Sequence, residues 1–382
     1  MVDYQERINE LKERLRQTDA NKHTMKSICQ MKAQIAKLER QKMDRIFEGI
    51  GKSSGGQTFD VKKTGDSNVA LVGFPSVGKS TLLNKITNAN SKVAAYEFTT
   101  LDAIPGLMEY KHARIMVIDL PGIIKGASNG KGLGKRILAV AKTSNLILIM
   151  LDIWNLPDFQ LKTILDELVN IGVRLDRFPP LISMSILKSG GIALNSTVSL
   201  TNLTLDMARG ICQEFKVVNA LIVAHQDITP EDLIDRLSGN CAYIASLIVC
   251  NKMDLATPEQ EKFLEELERE GHQIIRISAE TGMNLDVVKD EIFRKLDLIR
   301  IYLKPKGFKA DLIEPLIVPR ESDVQFVAGR IHRDFVDRFR SAFVQHATKE
   351  ETDILPTVEK RKWRVGLDYT LHDFDVVQIN IK

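Results

Sequence analysis

The chain has 382 residues, 44% of them hydrophobic and 27% charged, with a formal net charge of +3. That composition excludes wholesale disorder, and the length allows two or three domains around substantial cores. The charge is too small to imply a nucleic-acid partner by itself, so any such claim rests on local patches. Cys29, Cys212, Cys241 and Cys250 form no CxxC pair, which points to reduced thiols and away from a zinc site or a disulfide framework. The charged opening MVDYQERINELKER is unlike a signal peptide, and the longest apolar run, Leu146–Leu151, is far short of a membrane span. A cytoplasmic protein with no membrane partner is expected.

Residues 1–50 predict a helical hairpin. Ile8, Leu11 and Leu15 fall on one helical face, and Ile28, Met31, Ile35 and Leu38 on another, with Thr24 placed to cap the second helix. The hairpin either packs on the rest of the protein or presents Lys26, Lys32, Lys37, Arg40 and Lys42 to an anionic partner such as RNA. Residues 51–66 (GKSSGGQTFDVKKTGD) read as a linker.

From residue 67 strands and helices alternate, as in a mostly parallel sheet. Asn68–Thr81 reads NVALVGFPSVGKST. A strand, Val69 to Val72, runs into Gly73-Phe74-Pro75-Ser76-Val77-Gly78-Lys79-Ser80, and a helix follows from Thr81. This is the strand–loop–helix setting of a phosphate loop. Gly73 and Gly78 let backbone N–H groups wrap the phosphates, Lys79 reaches the β- and γ-phosphates, and the Ser80 hydroxyl is placed for Mg²⁺.

Ala103–Tyr110 and Ala113–Leu120 predict an antiparallel hairpin that ends in Asp119-Leu120-Pro121-Gly122. Asp119 would sit where a nucleotide's Mg²⁺ is held, mainly through water, and Gly122 would bring a backbone N–H to the γ-phosphate. Gly122–Gly134 is Gly-rich, either a switch ordered by ligand or a plain surface loop.

Leu146–Asp152 reads as a buried strand, Pro157–Ile171 as a helix, and Ala245–Cys250 as the next sheet strand. The separation between Gly122 and Asn251 is roughly twice what two helix–strand units need. An inserted α+β subdomain at about 172–243 is therefore expected, with a β-like stretch (Ile192–Leu200) and helices at Thr204–Glu214 and from Thr229-Pro230.

Asn251-Lys252-Met253-Asp254 follows at a strand end and reads guanine. The Asp254 carboxylate accepts from the N1–H and 2-amino edge that adenine lacks, and the Lys252 stem covers the base. Ile274–Ile277 predicts a strand ending at Ser278-Ala279-Glu280, where a backbone N–H can meet guanine O6. A helix at Leu285–Ile299 closes the nucleotide domain, 67–300. Residues 301–382 form a small mixed α/β domain, with a strand at Ile313–Val318, a helix at Val324–Phe335 and a last strand at Val376–Ile381. There Lys360-Arg361-Lys362-Trp363-Arg364 is either an RNA contact or a solvated turn with one packed Trp.

With GFPSVGKSTLL, YEFTTL, DLPGI, GASNGKGLG, NKMD and the terminal RIHRDF and VGLDYTLHDFDVVQI, the chain resembles the developmentally regulated GTP-binding protein (DRG) family of Obg-like translation-factor GTPases. The resemblance implies an α/β fold: a P-loop G domain, an inserted ribosomal-protein-S5-like subdomain, an N-terminal helical region and a C-terminal β-grasp (TGS) domain. It implies GTP/GDP and Mg²⁺ as ligands, with Ser80 and Thr100 as metal ligands and Thr100 closing on the γ-phosphate. Catalysis would fall to Lys79, Thr100 and Gly122, and guanine recognition to Asn251, Asp254 and the Ser278-Ala279 backbone. The ribosome and a dedicated DRG-family regulatory protein are the implied partners. Ile123 stands where many small GTPases place the Gln that orients the attacking water, so slow intrinsic hydrolysis is expected. K⁺ is a further candidate cofactor, although Ser76 replaces the Asn that holds it in some related GTPases. The alternative is a nucleotide-gated RNA- or ribosome-binding scaffold with little turnover.

Overall fold

A computed structural model describes residues 4–21, 24–51, 65–87, 104–120, 140, 144–239, 241–348 and 356–381. The expected switch stretch with Thr100, the Gly-rich segment from Gly122, and Ile123 lie outside the described residues. In chain order come α1 (Tyr4–Gln17), α2 (Met25–Gly51), β1 (Ser67–Gly73), α3 (Lys79–Ile86), β2 (Ile104–Tyr110), β3 (Ala113–Asp119), β4 (Leu146–Asp152) and α4 (Pro157–Asn170). Next are β5 (Val173–Leu175), β6 (Ile182–Ile186), β7 (Ile192–Ser196), α5 (Leu205–Glu214), β8 (Ala220–Ala224), α6 (Pro230–Ser238), β9 (Ala242–Asn251), α7 (Pro258–Arg269), β10 (Ile274–Arg276) and α8 (Leu285–Lys295). The last are β11 (Leu298–Leu303), β12 (Leu316–Pro319), α9 (Val324–Ile331), α10 (Asp334–Asp337), β13 (Phe339–Gln345), β14 (Ala347–Thr348), β15 (Thr357–Val358), β16 (Trp363–Val365) and β17 (Val376–Ile381).

The chain forms two compact units. One comprises Met1–Lys62, Pro121–Thr143 and Asp158–Ala245, the other Lys63–Leu120, Ser144–Pro157 and Ser246–Lys382. In the first, α2 is apolar on two sides. Ile28, Met31 and Ile35 meet Ile8 and Leu11 of α1. Cys29 and Ala33 instead enter a core with Ile182, Met207, Ala208, Ile211, Ile222 and Leu233. Each fully buried aliphatic side chain there contributes about 1.5–3 kcal/mol. The inserted sheet runs β6-β8-β7, with β6 antiparallel and β7 parallel to β8. Helix α6 opens on a capping box in which the Thr229 side chain accepts from the Asp232 N–H, with Pro230 in the first turn.

Lysines on α2 face inward more than their sequence suggests. Lys32 pairs with Glu231, Lys37 donates to the Glu214 carbonyl, and Lys42 donates to Gln5. These three cations fasten the helical hairpin to itself and to the insert, as the packing alternative expects of them, whereas Lys26 and Arg40 are exposed. Just ahead of α2, Asn21 and Thr24 exchange side-chain bonds with each other's N–H.

In the second unit the sheet path is β10-β9-β4-β1-β3-β2. β1 is parallel to both β3 and β4, and β10 is parallel to β9. β2 is antiparallel to β3. Every residue of β1 and of β4 is buried, as a sheet covered on both faces requires. The C-terminal domain is a β-grasp sheet ordered β12-β11-β17-β13-β16. Val324 and Val327 of α9 pack on Ile299, Ile301, Ala342, Val344 and Val377.

Some expected elements differ. The helix from Leu285 stops at Lys295, because Asp297 takes a left-handed φ of 50° and the chain enters β11. The helix expected to reach Phe335 ends at Ile331, where His332 is extended. The β-like stretch from Ile192 ends at Ser196. No described helix is long and apolar enough to cross a membrane.

Candidate functional site

The site forms where β1, β3, β4 and β9 end together, at the carboxyl edge of the parallel sheet. β1 delivers Gly73, and the chain turns through Phe74–Val77 into α3. A Cβ on Gly73 would lie 2.6 Å from the Met150 carbonyl oxygen of β4. Gly78 has φ +96°, and a Cβ there would lie 2.4 Å from Asn251 Nδ2. Both positions therefore demand glycine, one for close approach and the other also for its backbone conformation. Ser76 also takes a left-handed φ of 62°, and Val77 is buried beneath the loop.

Lys79 is buried, and its ammonium donates to the carbonyls of Gly73 (3.2 Å) and Phe74 (2.9 Å). Burial lowers its pKa, and Asp119 nearby works against that shift. The loop thus encloses its own cation, poised to exchange two carbonyls for phosphate oxygens.

Ser80 Oγ donates to Asp119 Oδ2 at 2.7 Å. Asp119 ends β3, in register with Leu71 of β1, and is 8% exposed. Its Oδ1 is buried and finds no hydrogen-bond partner among the described residues. An orphaned carboxylate oxygen beside a hydroxyl is a hard-oxygen donor set suited to Mg²⁺.

Asn251 is 4% exposed, and both ends of its amide are used. Nδ2 donates to the Val77 carbonyl at 2.8 Å, and Oδ1 accepts the Ala279 N–H at 2.9 Å. One side chain thereby ties the phosphate loop to the Ser278-Ala279 segment. The Ser278 N–H donates to the Met283 carbonyl at 3.3 Å, and the Ser278 hydroxyl accepts the Thr281 N–H at 3.2 Å. The Ala279 N–H, expected to meet guanine O6, is bonded here to Asn251 Oδ1.

Lys252 is left-handed at φ 67° and leads into a single 3₁₀ turn, Met253–Leu255. That turn sets Asp254 at the surface, where its carboxylate has no partner among the described residues. Thr81 lies partly exposed on the first turn of α3. Sequence reasoning passed over Asp152. This carboxylate, at the end of β4, accepts the Lys252 ammonium at 2.7 Å. Its signal was its position, an Asp closing a buried strand as Asp119 does.

A phosphate loop, a Ser–Asp pair for a divalent cation and an Asn-Lys-x-Asp turn on one sheet edge define a P-loop guanine-nucleotide-binding domain, here carrying a C-terminal β-grasp domain. Comparison with known proteins agrees. A family model described as 50S ribosome-binding GTPase matches residues 68–182, the model for the C-terminal region of that domain matches 189–298, and a TGS domain model matches 299–381. The chain is 45% identical over 383 residues to an uncharacterized GTP-binding protein of Methanocaldococcus jannaschii, covering 100% of this chain and 94% of that one. It is 40% identical to developmentally-regulated G-protein 3 of Arabidopsis thaliana, covering 99% of each chain. It is also 40% identical to developmentally-regulated GTP-binding protein 1 of Xenopus laevis, covering 98% of each. The chain belongs to the developmentally regulated GTP-binding protein family, and it binds guanine nucleotide.

Proposed function

We propose that this protein is a cytoplasmic switch that hydrolyses GTP to GDP and acts on or near the ribosome in translation. The observation that carries the hydrolytic part is the Ser80–Asp119 pair with its orphaned Oδ1 beside the enclosed Lys79. Ser80 and Asp119, the latter through water, would hold Mg²⁺, with Thr100 as a further ligand. Bound there, the ion would neutralise phosphate charge. Lys79 would reach the β- and γ-phosphates, and the Gly122 N–H would face the γ-phosphate. Ile123 cannot orient water, so the intrinsic rate is slow and is raised by a partner or by K⁺.

The ribosomal part draws support from the description of the family model over residues 68–182. It also draws support from the C-terminal domain, where Lys360, Arg361 and Lys362 are exposed just ahead of edge strand β16 and Arg364 is exposed within it. Lys362 Nζ lies 4.8 Å from the Phe343 ring centre and the Arg361 guanidinium 5.3 Å from that of Trp363. Cations paired with rings at a sheet edge suit single-stranded RNA. A DRG-family regulatory protein is the second proposed partner.

The test is GTP turnover with and without ribosomes, in potassium and then sodium buffer, beside a Lys79→Ala control. Slow, Lys79-dependent turnover that rises with ribosomes or potassium supports the switch. Tight GTP binding without turnover in every condition would leave the alternative, a nucleotide-gated scaffold, which Ile123 keeps open and the retained Lys79, Ser80 and Thr100 argue against.

A further inference from the structure

Asp152 is 1% exposed on its side chain, yet it is a carboxylate. Buried carboxylates persist where donors surround them, and this one has an ordered set. Oδ1 accepts the Trp154 N–H at 3.0 Å. Oδ2 accepts from Asn155 Nδ2 at 2.8 Å and from Lys252 Nζ at 2.7 Å. The Asn155 N–H closes a turn on the Asp152 carbonyl at 3.2 Å. The carboxylate is thus fixed by its own turn before it meets the lysine.

Lys252 is held differently. Its backbone is left-handed, a conformation that side chains disfavour, and its side chain is 34% exposed. The next residues form the short turn that presents Asp254. Next door, the Ile153 N–H donates to the Asn251 carbonyl at 3.4 Å, so the end of β4 also touches the strand that delivers the motif.

We infer that Asp152 is a positioning residue for guanine nucleotide: it anchors the Lys252 ammonium so that the lysine stem lies ready as a plate for the purine. This rests on the guanine-nucleotide reading of the site. A free lysine would lose rotamer freedom when the base arrives, whereas an anchored one has lost it already. The contact is to the face of the base and not to its 2-amino edge. Removing the anchor therefore weakens guanine and hypoxanthine nucleotides alike.

The test is release of a fluorescent GDP analogue from the full-length protein by stopped flow. Asp152→Asn keeps an oxygen for the Trp154 N–H and loses the charge that holds Lys252. Release is expected to quicken about tenfold, the order for one charge-assisted bond. GDP and IDP affinities are expected to fall by the same factor. In a Lys252→Met background, Asp152→Asn adds less than about twofold, because the partner is already gone. Unchanged release in Asp152→Asn would overturn the inference. Equal quickening in both backgrounds would also overturn it, since Asp152 would then only brace the strand end. Failure of the unsubstituted protein to hold GDP would sink the guanine reading beneath it.

Discussion

Replacing Asn251 with Ala tests how the site is assembled. The substitution leaves the Val77 carbonyl and the Ala279 N–H, now bonded at 2.8 and 2.9 Å, without partners. Each unmet buried polar group costs about 1–3 kcal/mol, and water entering the vacated space recovers part of that. A net loss of about 2–4 kcal/mol lowers the melting temperature of the nucleotide-free protein by roughly 5–10 °C. Because the same amide ties the phosphate loop to the 278–279 segment, GDP affinity should fall at least about 100-fold. Asn251→Asp sharpens the point. It keeps the acceptor for Ala279 but sets a carboxylate oxygen against the Val77 carbonyl, so it should be impaired although isosteric. Thermal unfolding without nucleotide and fluorescence titration with GDP measure both effects. An Asn251→Ala protein that melts within about 1 °C of the parent and binds GDP equally well would refute the reasoning.

Burial lowers the Lys79 pKa, so holding the charged ammonium in the fold costs stability, in full at pH below the folded value and lost as pH rises through the ordinary 10.5. Lys79→Met removes that burial cost but also the donor to the Gly73 and Phe74 carbonyls, so the two effects oppose and the protein without nucleotide should melt within about 3 °C of the parent while losing GTP binding; a larger drop would contradict this. Burial raises the Glu39 pKa despite Lys12 beside it. A raised carboxyl costs stability once charged, and the cost disappears as pH falls from the raised folded value through the ordinary 4.5. Glu39→Gln should then flatten the pH dependence of unfolding across that window, and an unchanged profile would count against it. Lys362→Ala with Arg364→Ala should weaken co-sedimentation with ribosomes and make it less sensitive to salt, by about one unit of slope for each phosphate no longer neutralised. Undiminished co-sedimentation would remove the β16 edge from the ribosomal account.

The phosphate loop, the Asp119 strand end and the Asn251–Asp254 turn were legible in the sequence because each is a short contiguous segment at a strand end, whereas the bond between Ser80 and Asp119 was not. Their chemistry depends on local backbone and residue type. What Asn251 does was not legible, since its partners Val77 and Ala279 are brought to it only by the fold. Asp152 was hidden for the same reason. The partners of Lys32 and Lys37 on α2 were not legible either, because helical spacing cannot reveal Glu231 or the Glu214 carbonyl, both far away in sequence. Strands β6 and β8 were missed because short apolar runs such as ISMSI and ALIVA carry no decisive period. Helix ends slipped at Lys295 and Ile331, where left-handed Asp297 and extended His332 stop helices without a Gly or Pro to announce it.

The most direct test of the site is the base preference of Asp254→Asn. Guanine offers donors at N1 and the 2-amino group, which an exposed carboxylate accepts; xanthine offers an oxygen at position 2, which an amide N–H can meet. Titration of the parent and the variant with GDP and XDP measures the exchange. Preference should pass from GDP to XDP in the variant. A variant that still prefers GDP would show that Asp254 does not read the base, and the account of the site would fail there.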